Sequence, residues 1–125
     1  MHVLRNMVDA VRPSGFVLDL QVIRPNPLVE TRGETLCEID GEPLFALADA
    51  ATAAVDAAVA AGRLTEEARD DHDVRKHYPS GADVVDDFAE KKRRIPESDL
   101  PRLQAVTETC VVRERCRLRR LRVDH

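Results

Sequence analysis

Four polar residues stand where an open α/β sheet would hold a ligand: Arg24 and Asn26 in "RPNP", and His77 and Tyr78 in "VRKHYPS". Each segment follows a run with strand character, and ligands of such sheets bind beyond the carboxyl ends of parallel strands. They are the candidate substrate contacts, and the plainer reading of each is a surface loop residue. Other chemistry has less support. His72 and His77 lie five residues apart beside Asp71 and Asp73, but on a strand that step puts them on opposite faces, so no metal is assigned. Ser14, Ser80 and Ser98 lack the strand-to-helix context of a hydrolase nucleophile. Cys37, Cys110 and Cys116 are odd in number and show no CxxC spacing, which fits reduced thiols in a core better than a disulfide frame or a zinc site. No residue is singled out as catalytic.

The elements that would position these residues follow from pattern. "FVLDLQVI", residues 16–23, is nearly continuously apolar, with Phe16, Leu18 and Leu20 on one face and Val17 on the other. That suits a strand covered on both faces, stopped by Pro25 and Pro27. Before it, Val3, Leu4, Met7, Val8 and Val11 form a helical stripe over residues 1–12, ended by Pro13 and Gly15. Residues 28–39 read as a hairpin turning at Arg32-Gly33-Glu34. Residues 43–61 read as a long helix, with Pro43 in its first turn, Gly62 at its end and a stripe of Leu44, Leu47, Ala48, Ala51, Val55, Ala58 and Val59. Its alanines suit close approach to a sheet more than helix dimerisation.

Residues 64–77 form an extended, acidic segment carrying Glu66, Glu67, Asp70, Asp71 and Asp73. Residues 80–106 read as helices: Ser80 caps the first with Asp83 three residues on, "KKRR" at 91–94 is a basic helix end rather than a targeting signal, and Pro96 separates a second short helix. Residues 110–123 read as the last strand, with Cys110, Val112, Cys116 and Leu118 on one side and Arg113, Arg115 and Arg117 on the other.

Charge links the two polar strands. The chain of 125 residues has a net charge of -4, yet residues 110–125 hold six arginines against two acids, a balance of +4. The other 109 residues hold 13 basic and 21 acidic groups, or -8. An arginine row could neutralise phosphates, but pairing with the acidic strand is the stronger reading, so no nucleic-acid partner is expected. At 43% hydrophobic and 34% charged, the composition suits one soluble domain. No run approaches the roughly 18 apolar residues of a membrane span, so no membrane partner is expected. The first residues lack the pattern of a signal peptide, and the expected location is cytoplasmic.

The order helix, strand, hairpin, helix, strand, helices, strand resembles the C-terminal half of class I S-adenosylmethionine-dependent methyltransferases. "LRNMVDAVRPSGFVLDLQVI" looks like that family's helix, its R-P-G-G turn and its fifth strand, with Ser14 where the first glycine is usual. The resemblance implies a partial Rossmann-like α/β sheet with strands equivalent to 5-7-6, the last strand inserted antiparallel. It also implies that this is the substrate-side half. The cofactor turn is missing, since Gly15, Gly33, Gly41, Gly62 and Gly81 are scattered without G-x-G, and so is the catalytic loop. No cofactor-binding residue is expected, and S-adenosylmethionine would bind only if the missing half were supplied.

Two functional classes follow. One is a methyltransferase-like protein, inactive alone; the other is a non-enzymatic dimerisation or interaction module on a degenerate methyltransferase fold. In both, the unpaired edge of Phe16–Ile23 is expected to bind a second copy or a complementary half.

Overall fold

A computed structural model describes residues 15–124. The helix expected over residues 1–12 and the Pro13-Ser14 part of its turn lie outside these. The elements run β1 (Phe16–Thr31), β2 (Glu34–Glu38), α1 (Glu42–Ala60), β3 (Leu64–Tyr78), α2 (Gly81–Phe88), a 3-10 turn (Glu97–Asp99), α3 (Leu100–Gln104) and β4 (Cys110–Val123). Among the described residues the fold is α/β, with three helices and an open four-stranded antiparallel sheet in the order β2-β1-β4-β3. The basic last strand therefore lies beside the acidic one, as their charges led us to expect. The chain divides into two compact units, residues 1–22, 46–72 and 116–125 in the first, and 23–45 and 73–115 in the second.

In the first unit Val17, Val55, Leu64, Leu121 and Val123 form the core, with Ala58 and Val59 of α1 packed against it. The unit covers only one face of β1. Val17 is buried, whereas Phe16, Leu18 and Leu20 are 45%, 65% and 57% exposed. The expectation of a strand covered on both faces is thus corrected: alternation turns 16, 18 and 20 away from the α1 side, where the Arg120 guanidinium lies 3.8 Å from the Phe16 ring centroid but Leu18 and Leu20 stay mostly exposed. A second correction concerns α1. Only 17% of its apolar window is buried, and Leu47, placed on the inner stripe, is 53% exposed. Its alanines mostly face outward instead of seating it closely on the sheet. With 19 residues and a mean hydropathy of 1.4, α1 also has the length and composition of a membrane span, which revises the statement that no run comes near one. Asp49 and Asp56 interrupt that run. The helix ends as its Gly62 suggested: Gly62 has φ +77° and donates to Val59 O, while Arg63 donates to Ala58 O. Those paired bonds satisfy the last carbonyls of the helix.

β4 departs from simple alternation within the same unit. Cys116 is buried, but the next buried positions are Arg119, Leu121 and Val123. The pattern changes phase, so Arg119 takes the inward place expected for Leu118, which is only half-buried.

In the second unit, β1 and β2 form the expected hairpin, pairing Leu28 with Glu38 and Thr31 with Glu34 around Arg32 and Gly33, both at positive φ. Pro25 and Pro27 do not end β1, which runs on to Thr31. The reason is visible at Pro27: its carbonyl accepts from Ile39 N–H, and because N and C=O of one strand residue point the same way, its missing N–H falls beyond the end of β2, where no strand needs a donor.

The core of this unit joins Val29, Cys37, Ile39, Tyr78, Val84, Phe88, Leu103, Cys110 and Val112. α2 opens as expected, Ser80 Oγ accepting from Asp83 N–H at 3.3 Å. It ends at Phe88, so "KKRR" follows the helix instead of forming its last turn. Gly81 is pressed against the α3 end, where an added Cβ would sit 1.9 Å from Leu103 O. The three cysteines are free and buried, and burial pushes the Cys37 thiol up to about 11.

Candidate functional site

The second unit carries a sizeable cleft. It is formed where α2 gives way to the basic segment and the start of α3, with a volume of about 500 Å³. Val85, Phe88, Ile95 and Leu100 make its apolar floor. The rim is mixed in charge: Lys91, Arg93 and Arg94 against Glu90 and Glu97. Two of the cations are held in place. Lys91 and Arg93 each lie 4.9 Å from the Phe88 ring centroid, and Arg93 is paired with Glu114. Arg94 is joined to Asp40 through a backbone bridge of two 2.8 Å bonds. Its polar lining consists of charged side chains around an apolar floor.

A polar network adjoins it. Tyr78 Oη donates to Asp87, which also accepts from Lys91 at 2.8 Å and Lys76 at 3.3 Å. Lys91, followed by Tyr78 and Lys76, holds the Asp87 carboxyl well below the usual range. Burial, aided by the Asp87 hydrogen bond, pushes the Tyr78 phenol far above its ordinary value. Tyr78 is therefore a protonated donor that fixes α2 to the end of β3.

The four expected ligand contacts do not converge. Arg24 lies 5.0 Å from the Phe45 ring centroid and pairs with Glu42 at 3.3 Å. Asn26 Oδ1 accepts from Gly41 N–H at 3.1 Å. Both side chains thus hold the start of α1, and both belong to β1 rather than to the loop assumed for them. His77 is exposed near the end of β3, and Tyr78 is buried in the core. Their separation follows from register. Arg113 reaches Glu30 at 3.1 Å on one side and Asp73 at 3.6 Å on the other. Asp73 neighbours Asn26 across β4, and His77 and Tyr78 lie four and five residues further along β3, on the order of 13–16 Å at about 3.3 Å per residue. Asn26 instead shares a pocket of about 70 Å³ with Asp73, Arg113 and Arg115.

Sequence reasoning missed the cleft rim. The signal was the basic run between Phe88 and Pro96, which reads equally well as a helix end.

The arginines of β4 are engaged within each unit. In the second, Arg115 reaches Asp73 at 3.2 Å and holds its carboxyl below the usual range. In the first, Arg117 grips Asp71 with two bonds of 2.8 and 2.9 Å. Arg119, 2% exposed, bonds Asp56 and Glu66 at 2.9 Å each. Arg69 and then Arg119 lower the Glu66 pKa. Among the described residues no three His, Cys, Asp or Glu side chains gather as a metal site. No family model, curated protein or solved structure matches the chain.

Proposed function

We propose that the chain forms the substrate-side half of a class I S-adenosylmethionine-dependent methyltransferase fold, inactive by itself. One observation carries this reading: the last strand, β4, lies between β1 and β3, antiparallel to both, while β2 and α1 intervene in the chain between those two strands. That arrangement matches the 5-7-6 order the resemblance implies. The cofactor would be held by a polypeptide segment carrying a glycine-rich strand turn, since none occurs among these residues. The cleft beside Phe88 is the place in this half for a small acceptor with an apolar body.

The test is calorimetric titration of S-adenosylmethionine into the 125-residue chain and into a chain extended by the codons preceding Met1 in the same frame. The reading expects no saturable binding by the former and one-to-one binding by the latter. Saturable micromolar binding by the 125 residues alone refutes the assignment of halves.

A second reading, a non-enzymatic interaction module, draws on the exposed row Phe16, Leu18 and Leu20. A stable homodimer indifferent to the cofactor, in an extended chain that also fails to bind it, favours that reading.

A further inference from the structure

The edge of β1 in the first unit has a defined polarity. Gly15 C=O accepts from Val123 N–H of β4 at 2.8 Å. A strand residue's N–H and C=O point to the same side and alternate along the chain, so counting from Gly15 residues 17, 19 and 21 face β4; the alternation changes phase before Pro27, whose carbonyl faces Ile39 on the β2 side. Phe16, Leu18, Leu20 and Val22 therefore direct their backbone groups the other way. On that side β2 reaches β1 only at Leu28–Thr31, and no described residue pairs with 16–22. The segment has no Lys and no Pro, and its one charge is Asp19. The devices that usually blunt an open edge are absent.

We propose that this edge pairs antiparallel with the same segment of a second copy, the twofold axis passing between the two Leu20 residues. The register is chosen by side chains. In antiparallel pairing the non-hydrogen-bonded positions bring side chains closest, with Cα atoms about 4.5 Å apart. Here those are the odd residues. An axis at Asp19 sets the two Asp19 carboxylates against each other, and an axis at Leu18 sets Asp19 against the second copy's Val17. An axis at Leu20 sets Asp19 against the second copy's Gln21, whose amide donates to the carboxylate. It is a contact of the type Gln21 Nε2 already makes to Asp19 within one chain at 2.9 Å. The same register places Leu18 opposite Val22 and Leu20 opposite Leu20. The occupant is thus a second copy, selected by self-complementarity, and a complementary methyltransferase half would compete for the same edge.

Sedimentation velocity of the 125-residue chain over a concentration series tests it. The expected species is a closed dimer of twice the 14.0 kDa chain mass. Gln21→Glu sets like charges opposite each other twice per dimer and should weaken association by about tenfold or more. Adding Asp19→Lys to Gln21→Glu re-creates opposite charges and should restore the dimer, which separates loss of pairing from loss of folding. A monomer at every concentration overturns the proposal, as does a dimer unaffected by Gln21→Glu or an open-ended series of oligomers. A chain that stays monomeric yet captures a separately expressed methyltransferase cofactor half through residues 16–22 overturns it too, in favour of that other occupant.

Discussion

The two units share three strands but are held by different forces. The second buries nine core residues, among them Phe88, Tyr78, Ile39 and Leu103, with α2 and α3 contributing directly. The first has a cluster of five, all aliphatic, under a single helix, and sets a guanidinium, Arg119, among its buried positions. It leaves Phe16, Leu18 and Leu20 open. A sheet face without a second layer cannot bury its apolar row, so ion pairs carry a larger share of the local organisation. The second unit should therefore respond most to loss of volume and the first to loss of charge.

The largest effect is expected from Phe88→Ala, which empties the centre of the second core and removes the ring beneath Lys91 and Arg93. It should cost about 3–5 kcal/mol in urea unfolding. Val55→Ala, in the first core, should cost about 2 kcal/mol. If Val55→Ala proves the more damaging, the ranking of the two cores is reversed.

Arg119→Ala comes next. Removing one partner of a buried pair costs about 3–5 kcal/mol, but Asp56 is 59% exposed and can be rehydrated, so about 2–3 kcal/mol is expected. Arg119→Met, which keeps the stem packed, should recover part of that loss. Equal losses for both variants would assign the residue's contribution to charge alone.

How much of this was legible in the sequence depended on whether a signal was local. The hairpin turn at Arg32-Gly33, the Gly62 helix end, the Ser80 cap and the span of β4 were each readable because a few neighbouring residues determine them. The opposite charges of β3 and β4 were enough to place those strands side by side. What failed depended on register or on neighbours distant in sequence. Pro25 and Pro27 looked like strand stops, and only the position of β2 shows why a missing N–H is harmless there. Arg119 looked like one more outward arginine until the phase of β4 changed after Cys116. The apolar run at 16–23 signalled burial on two faces, yet periodicity cannot say whether a second layer of residues exists. Arg24 and Asn26 were chosen by assuming where β1 ended, and that assumption failed with the prolines.

The Tyr78–Asp87 network should give the second unit a pH signature at both ends of the scale. Asp87 has a folded pKa below its unfolded value, so its stabilisation is present above the ordinary carboxylate pKa of about 3.9 and is lost as pH falls below it. Tyr78 has a folded pKa above its unfolded value, so its stabilisation is intact below about pH 10 and is lost as pH rises past it, where the unfolded phenol releases its proton first. Tyr78→Phe should cost about 1.5 kcal/mol at neutral pH, near the lower end for a hydrogen bond to a charged group, because two lysines still serve Asp87. The variant should also lose Tyr78's share of the alkaline decline while keeping the acid one. An unchanged alkaline limb in urea unfolding at graded pH would mean that Tyr78 does not carry it.

The smallest effects distinguish two neighbouring arginines of β4. Arg117, in the first unit, meets Asp71 with two short bonds. Arg115, in the second, makes one longer bond to Asp73, whose carboxylate is also 3.6 Å from Arg113. All four side chains keep between 29% and 41% of their surface in water, so screening keeps each contribution small. The two-bond geometry of Arg117 should contribute more than the single bond of Arg115. Arg117→Ala should therefore lower the melting temperature more than Arg115→Ala at low salt, and the gap should narrow as added salt shortens the screening length to about 3 Å near 1 M. Unequal losses that persist at high salt would point instead to packing of the arginine stems. Equal losses at low salt would remove the contrast in how the two units use their charges.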